Sequence, residues 1–411
     1  MVLRLFSRSM RAFAPRTARF ALCAAFGALG IATAQAADDP RQYMHGIGAA
    51  RAADGAWHLF YSASGMPPAG AGADGAWPHD VHVSTWQPAT GTLSSPQVFI
   101  SRPEAQEPVS VAQNRSGSIM LSFEDGFDTA DEVSQRYGLY GGDLRPIKPY
   151  PQDILSGGHS GHVAAAGDQF VVFYSEGWVQ GGGVDNLGSG DNVRAAVIGA
   201  DGRIARQLDV ARGKRAWWPV LAASSERALL VWQQFVPNRT DANLYAALLS
   251  PSTGKLVPLG RLMDKLRYYT YQVAWMPAAN RFLLTGTRAG NQGFALLISP
   301  AGKVLARAEC LPATVREAEI LVRDRRAWVP DTAGGVLQLD VDERDTLRAG
   351  TVPLAANWGS TGTLGLPGKD DGIAWFTLTP QGVHRVDQAT SLEAAPPRAS
   401  CGAPAATAWK R

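Results

Sequence analysis

His162-Val163-Ala164-Ala165, a short polar turn, then Phe170-Val171-Val172-Phe173-Tyr174: these two joined runs are the unit whose recurrence decides the fold. A run of four or five apolar residues bounded by Gly and polar turn residues reads as a strand covered on both faces. Val220-Leu221-Ala222-Ala223 with Leu229-Leu230-Val231-Trp232 repeats the unit, and Val273-Ala274-Trp275 with Phe282-Leu283-Leu284 repeats it again. Towards the N-terminus lie Val109-Ser110-Val111-Ala112 with Ile119-Met120-Leu121-Ser122-Phe123, and Ile47-Gly48-Ala49-Ala50 with Trp57-His58-Leu59-Phe60-Tyr61. Towards the C-terminus are two weaker copies, Ile320-Leu321-Val322 with Ala327-Trp328-Val329 and Leu364-Gly365-Leu366 with Ile373-Ala374-Trp375-Phe376.

Later strands of the unit leave their own trace. Ala195-Ala196-Val197-Ile198 precedes Asp201-Gly202, Tyr245-Ala246-Ala247-Leu248-Leu249 precedes Thr253-Gly254, and Phe294-Ala295-Leu296-Leu297-Ile298 precedes Ala301-Gly302. Each Gly marks a hairpin. No stretch after the N-terminal leader keeps apolar residues at helical spacing over three turns, so the chain reads as all-β, punctuated by 44 Gly and 26 Pro. One four-stranded unit cannot bury both its faces, whereas units stacked radially can, and they leave only short edges. The expectation is a β-propeller of about seven four-stranded blades; six or eight also fit the length. The last two copies are short enough to lack a strand. The second-strand tryptophans Trp57, Trp232, Trp328 and Trp375 read as core between blades.

The N-terminus carries Arg4, Arg8, Arg11, Arg16 and Arg19 without an acidic residue, and then runs apolar from Phe20 to Ala34. That pattern, ending in Ala34-Gln35-Ala36, reads as a cleavable signal peptide over 1–36, too short to span a bilayer. The expected organisation is this leader, a propeller over 37–391, and a Pro- and Ala-rich tail over 392–411. Removing five arginines from the 39 basic residues leaves 34 against 36 acidic ones, so the mature chain is near neutral. It has no electrostatic footprint for nucleic acid or anionic lipid, and no later segment is long and apolar enough to cross a membrane. A periplasmic or secreted monomer is expected. Two cysteines survive processing, Cys310 and Cys401; they read either as one disulfide pinning the tail, worth about 4 to 5 kcal/mol in the chain-entropy model, or as two separate buried thiols.

The recurring pattern resembles the degenerate propeller repeats of secreted bacterial proteins, in which Val-Ala, then Leu-Val-Val-Trp, then a hairpin Gly recur once per blade. Sialidases, polysaccharide lyases and glycoside hydrolases look similar at this level. The chain departs from two of the better-marked patterns, having neither a Ser-x-Asp-x-Gly-x-x-Trp box of the sialidase type nor the Trp-Asp dipeptide of WD40 repeats. The resemblance therefore implies a fold and carries over no catalytic residue.

Antiparallel pairing puts the start of a unit's first strand and the end of its second at the same edge, so these positions should line one face. The starts carry Tyr43, His45, Glu107, His159, His162, Trp217, Trp218, Tyr269, Tyr271, Glu317, Glu319 and Trp358; the ends carry Glu124, Asp125, Glu176, Gln233 and Gln234. The longest loops leave from the same edge. Aromatic rings with a few acids and imidazoles suit a sugar, whose apolar ring faces stack while its hydroxyls bond carboxylates. His45, His159, Glu107 and Glu176 are the candidates for acid-base work; Tyr43, His162, Trp217, Trp218, Tyr269, Tyr271, Glu317 and Trp358 are candidates for substrate contact. The competing reading for each aromatic is packing in the channel wall. His159 with His162, and His79 with His82, have spacings that also fit a metal, but each reads better as a wall histidine, and no metal is assigned. No cofactor is expected either, since no phosphate loop, dinucleotide fingerprint, nucleophile elbow or zinc-protease motif occurs. The functional expectation is binding, with or without cleavage, of a glycan or glycoconjugate. The rival is a non-catalytic scaffold that contacts an envelope protein.

Overall fold

The structure, a computed structural model, describes residues 44–63, 80–102, 106–125, 133–177, 192–213, 215–354, 356–358, 361–369, 372–379 and 381–386. The expected signal peptide, Tyr43, His79, Cys401 and the tail lie outside the described residues.

Six sheets follow one another along the chain. The first comprises Met44–Arg51, Trp57–Ala63 and Val81–Gln87, with Thr92–Leu93 and Gln97–Ile100 both pairing to the third strand. The second is Gln106–Gln113, Ile119–Asp125, Ser134–Tyr140 and Pro146–Ser156, and the third Gly158–Ala166, Gln169–Glu176, Asn192–Ile198 and Ile204–Ala211. The fourth has seven strands, from Ala216–Ala223 to Val304–Leu311. Its long strand Lys255–Met276 closes one unit by pairing with Ala242–Ser250 and opens the next by pairing with Arg281–Arg288, so this sheet holds two repeats on one continuous strand. The fifth runs from Leu321–Arg323 to Leu347–Pro353, and the sixth comprises Thr361–Pro367, Ile373–Thr379, Gly382–Val386 and, in parallel pairing, Arg316–Ala318.

Every repeat copy named from the sequence falls on a first and second strand of these units. The sixth copy has four strands of its own; the seventh has three and takes its fourth, Arg316–Ala318, from the preceding repeat. First strands touch in a closed ring. Met44–Arg51 meets Gln106–Gln113, which meets Gly158–Ala166, then Ala216–Ala223, Lys255–Met276, the strands at 316–323 and Thr361–Pro367, which meets Met44–Arg51 again. That ring is a β-propeller.

Burial follows the radial order. The second strand Ile119–Asp125 is buried throughout, whereas the fourth strand Pro146–Ser156 is exposed or half-buried at every position but Ile154. Apolar clusters fill the wedges between neighbouring repeats. The wedge that closes the ring packs Ile47, Leu59 and Tyr61 of the first sheet against Leu364, Leu366 and Phe376 of the last, with Trp86 edge-on to Phe376 at 5.3 Å. Trp232, Trp328 and Trp375 are core as expected; Trp57 is half-buried, packs against the cluster between the first and last sheets and also reaches the wall of a cavity. Gly48 lets the first two inner strands approach, because a Cβ there would sit 2.6 Å from Val111 Cγ2. Cys310 is disulfide-bonded; Cys401, the partner expected from the sequence, is outside the described residues. No helix among the described residues is long and apolar enough to cross a membrane.

Candidate functional site

Inner strands begin irregularly. Their pairing with the second strand slips between His45 and Ile47, Glu107 and Ser110, His159 and His162, Trp217 and Val220, and Leu266 and Tyr271. Within or beside these slips the backbone turns left-handed at Gly46, Ser160, Trp218 and Tyr269, and it does so again at Glu317. Trp and Tyr do not adopt that conformation without cost, so surrounding contacts must hold it. For Tyr269 the contact comes from the preceding unit's second strand, and the equivalent strands also tether the inner strands at Ser160 and Thr314. The Ser160 amide donates to Glu124 Oε2, the Tyr269 amide to Gln233 Oε1 at 3.0 Å, and the Thr314 amide to Thr287 Oγ1 at 3.1 Å. Glu124 and Gln233, which the sequence placed on the functional face, are occupied by tethering the next repeat.

The aromatic residues at these starts pack inward. Trp217, Trp218, Tyr269 and Tyr271 are each less than 5% exposed and belong to one apolar cluster. Tyr271 Oη donates to the Trp218 carbonyl, and burial pushes the phenol well above its ordinary pKa. His159 lies 4.5 Å from the Trp217 ring, with Nδ1 beside Ser160 Oγ at 3.0 Å; burial drives its pKa down to about 3, so the imidazole is neutral. His82 stacks on Tyr61 and meets the Asp80 carbonyl at 3.1 Å. Glu176 pairs with Arg194 at 3.1 Å, away from the axis. Trp358 is half-buried and donates to the Gly335 carbonyl at 3.1 Å. For His45 and Glu107 the backbone pairing is described and the side chains are not.

A cavity of about 230 Å3 follows the axis. Its apolar length is lined by Ile47, Val111, Val163, Leu221, Val273, Leu364 and Leu366, with Trp57 also on its wall. Its polar groups are Ser110, His162, Gln272, Glu317 and Glu319. Of the residues nominated from the sequence for a functional role, the cavity gathers His162 and Glu317.

The two glutamates reach the axis because one inner strand departs from the pattern. Thr314 and Val315 still bond to Pro330 and Asp331, and Leu321–Arg323 pairs with Arg326–Pro330, but Arg316–Ala318 between them pairs in parallel with Thr361 and Thr363 of the neighbouring sheet. Glu317 and Glu319 line this cavity, and Arg316 lines a neighbouring one. Glu317 Oε2 accepts from the Gly46 amide at 3.1 Å, and its Oε1 lies 3.1 Å from Arg316 Nε. Glu319 accepts from Gln272 Nε2 at 3.2 Å, and its own amide donates to the Thr363 carbonyl at 3.0 Å. Glu319 is half-buried and lines the cavity. Burial, reinforced by the charge of Glu317, raises its pKa to about 7. The sequence signal for this acid was its place at a strand start; nothing local marked it as the one whose strand is diverted.

The mouth is ringed by contacts. His162 meets Trp218 edge-on at 5.6 Å, Trp218 meets Tyr269 at 5.2 Å, and the Arg316 guanidinium stands 4.5 Å from the Tyr269 ring. Arg316 leads to Glu317, and Glu317 to Gly46. Among the described residues no group of three or more His, Cys, Asp or Glu is arranged to hold a metal.

No family model and no curated protein matches this sequence. Solved structures do. One is an α-L-arabinofuranosidase from Fusarium graminearum in complex with an iminosugar inhibitor, at TM-score 0.47 and 11% identity over 77% of this chain and 94% of that one. Another is the SapL1 lectin in complex with α-methyl fucoside, at 0.42 and 11% over 76% and 96%. A third is a GH43_1 enzyme from Xanthomonas citri, at 0.38 and 15% over 74% and 90%. The propeller assignment rests on the strand pairing and the closed ring described above.

Proposed function

We propose that this chain is an exported propeller that holds one sugar residue of a glycan or glycoconjugate in its axial cavity and hydrolyses the adjoining glycosidic bond. The observation that carries the reading is Glu319, a carboxyl raised to about 7 in a cavity that also contains Glu317. An acid that keeps its proton near neutrality is what protonation of a leaving oxygen requires. At about 230 Å3 the cavity is smaller than the roughly 300 to 1,000 Å3 typical of drug-sized ligands, and this favours a single ring over a long segment. Its wall offers aliphatic surface to the ring, while Ser110, His162 and Gln272 offer partners to hydroxyls. Glu319 gives its proton to the leaving oxygen, and the charge of Glu317 stabilises the positive charge developing at the anomeric carbon. Water then adds to that carbon and returns a proton to Glu319. The leader expected over 1–36 supports a site of action outside the cytoplasm.

The test is a screen of aryl glycosides and oligosaccharides with wild type and Glu319→Gln. Turnover by wild type that collapses in the variant, while binding persists, supports the reading. Binding without turnover in either protein leaves a lectin. Failure to bind any glycan removes the proposal and favours the envelope scaffold.

A further inference from the structure

A second cavity lies against the first, sharing two strands with it. It measures about 220 Å3 and is lined by Arg267, Thr270, Thr314, Arg316 and Thr332, with Trp358 on one wall. Lys255–Met276 supplies Thr270 to this cavity and Gln272 to the axial one; the diverted strand supplies Arg316 to this cavity and Glu317 to the axial one. Both charged residues on its lining are arginines, and none of the described residues there is acidic.

The two arginines are differently held. The Arg316 side chain is 16% exposed, fixed between the Tyr269 and Trp218 rings, with its Nε on Glu317. Arg267 is exposed, donates to Asn291 Oδ1 at 2.9 Å, and pairs with no carboxylate among the described residues. A fixed guanidinium deep in a cavity and a second one at its rim form a site for a planar or tetrahedral anion, because the N–H fork matches carboxylate and sulfate oxygens. Trp358 adds a wall for a ring face.

We propose that this side cavity is a subsite for an anionic substituent, a carboxylate or sulfate, on the sugar next to the one in the axial cavity. The preferred glycan is then acidic. Only the attachment of that anion to a sugar rests on the function proposed above; the anion site itself does not.

The test titrates wild type and Arg267→Gln calorimetrically with methyl glucuronoside, galacturonoside and mannuronoside, each against its neutral hexoside and its 6-sulfate. Wild type should bind at least one charged member about tenfold more tightly than its neutral partner, and added salt should narrow the gap. Arg267→Gln should bring that ratio close to one with neutral affinity unchanged, and Arg267→Lys should keep part of it. The uronosides and the 6-sulfates tell carboxylate from sulfate. If neutral glycans bind and every charged member binds no better, the subsite is overturned and the function reading stands. If charged sugars bind in an Arg267-dependent way while Glu319→Gln alters no binding or turnover, the subsite stands and the function reading falls.

Discussion

The two halves of the propeller mouth use the same repeat position for opposite ends. Around the third and fourth sheets, the strand starts place His159, Trp217, Trp218, Tyr269 and Tyr271 in a nearly dry aromatic wall. Around the last two sheets, the equivalent start places Arg316, Glu317 and Glu319 against cavities. The difference is one of pairing. Where the inner strand stays with its own second strand, the slip in register folds the start back into the wedge, and tethers from the preceding unit hold Ser160 and Tyr269 there. Where the strand leaves to pair with Thr361 and Thr363, its side chains line two cavities. A residue's role here is set by which neighbour its backbone bonds.

The largest effect that could break this contrast concerns activity. Glu319→Gln should lower turnover by about 10²- to 10⁴-fold at unchanged fold, read by steady-state kinetics beside circular dichroism. In contrast, Glu176→Gln should leave kcat and KM within about twofold; a collapse there would move the chemistry off the axis.

Trp218→Ala tests the other half. It should cost about 3 to 5 kcal/mol in urea unfolding, as expected for an aromatic deleted from a packed core. A large loss of glycan affinity with no loss of stability would show instead that the wall is a binding surface.

The pH dependence of stability separates the halves again, with opposite signs. His159 has a folded pKa of about 3 against an ordinary 6.5, so its neutral form stabilises the fold above pH 6.5, and that contribution is lost as pH falls towards 3. His159→Phe should flatten the acid limb by on the order of 2 kcal/mol between pH 6.5 and 4 in denaturant titrations. For Glu319 the folded pKa of about 7 exceeds the ordinary 4.5, so the fold binds the extra proton and loses stability as pH rises from 4.5 through 7. Glu319→Gln should gain on the order of 1 kcal/mol at pH 8 relative to pH 4, a figure reduced for water in the cavity. An unchanged profile would mean that Glu319 is not enclosed as described.

Much of the fold was legible because strand signals are local. Phe170-Val171-Val172-Phe173-Tyr174 reads as a strand wherever it sits, and counting such pairs located each first and second strand. The mouth was less legible. Glu107, Glu124, His159 and Glu317 look alike in sequence, each a polar residue at a strand edge. In the structure Glu124 tethers an amide in the next sheet, His159 is sealed against Trp217, and Glu317 lines the axis. Their roles depend on partners 36, 58 and 271 positions away, and no local pattern encodes those distances.

By itself the amino-acid sequence determined the strand units along the chain, since period, apolarity and turn residues act over a few neighbouring positions. Only the tertiary structure decided which strand start opens into the axis, because that follows from a parallel pairing between residues some 45 positions apart, Arg316 with Thr361. The raised pKa of Glu319 has the same origin: desolvation is a property of everything packed around a carboxyl, and it exists only once the ring has closed.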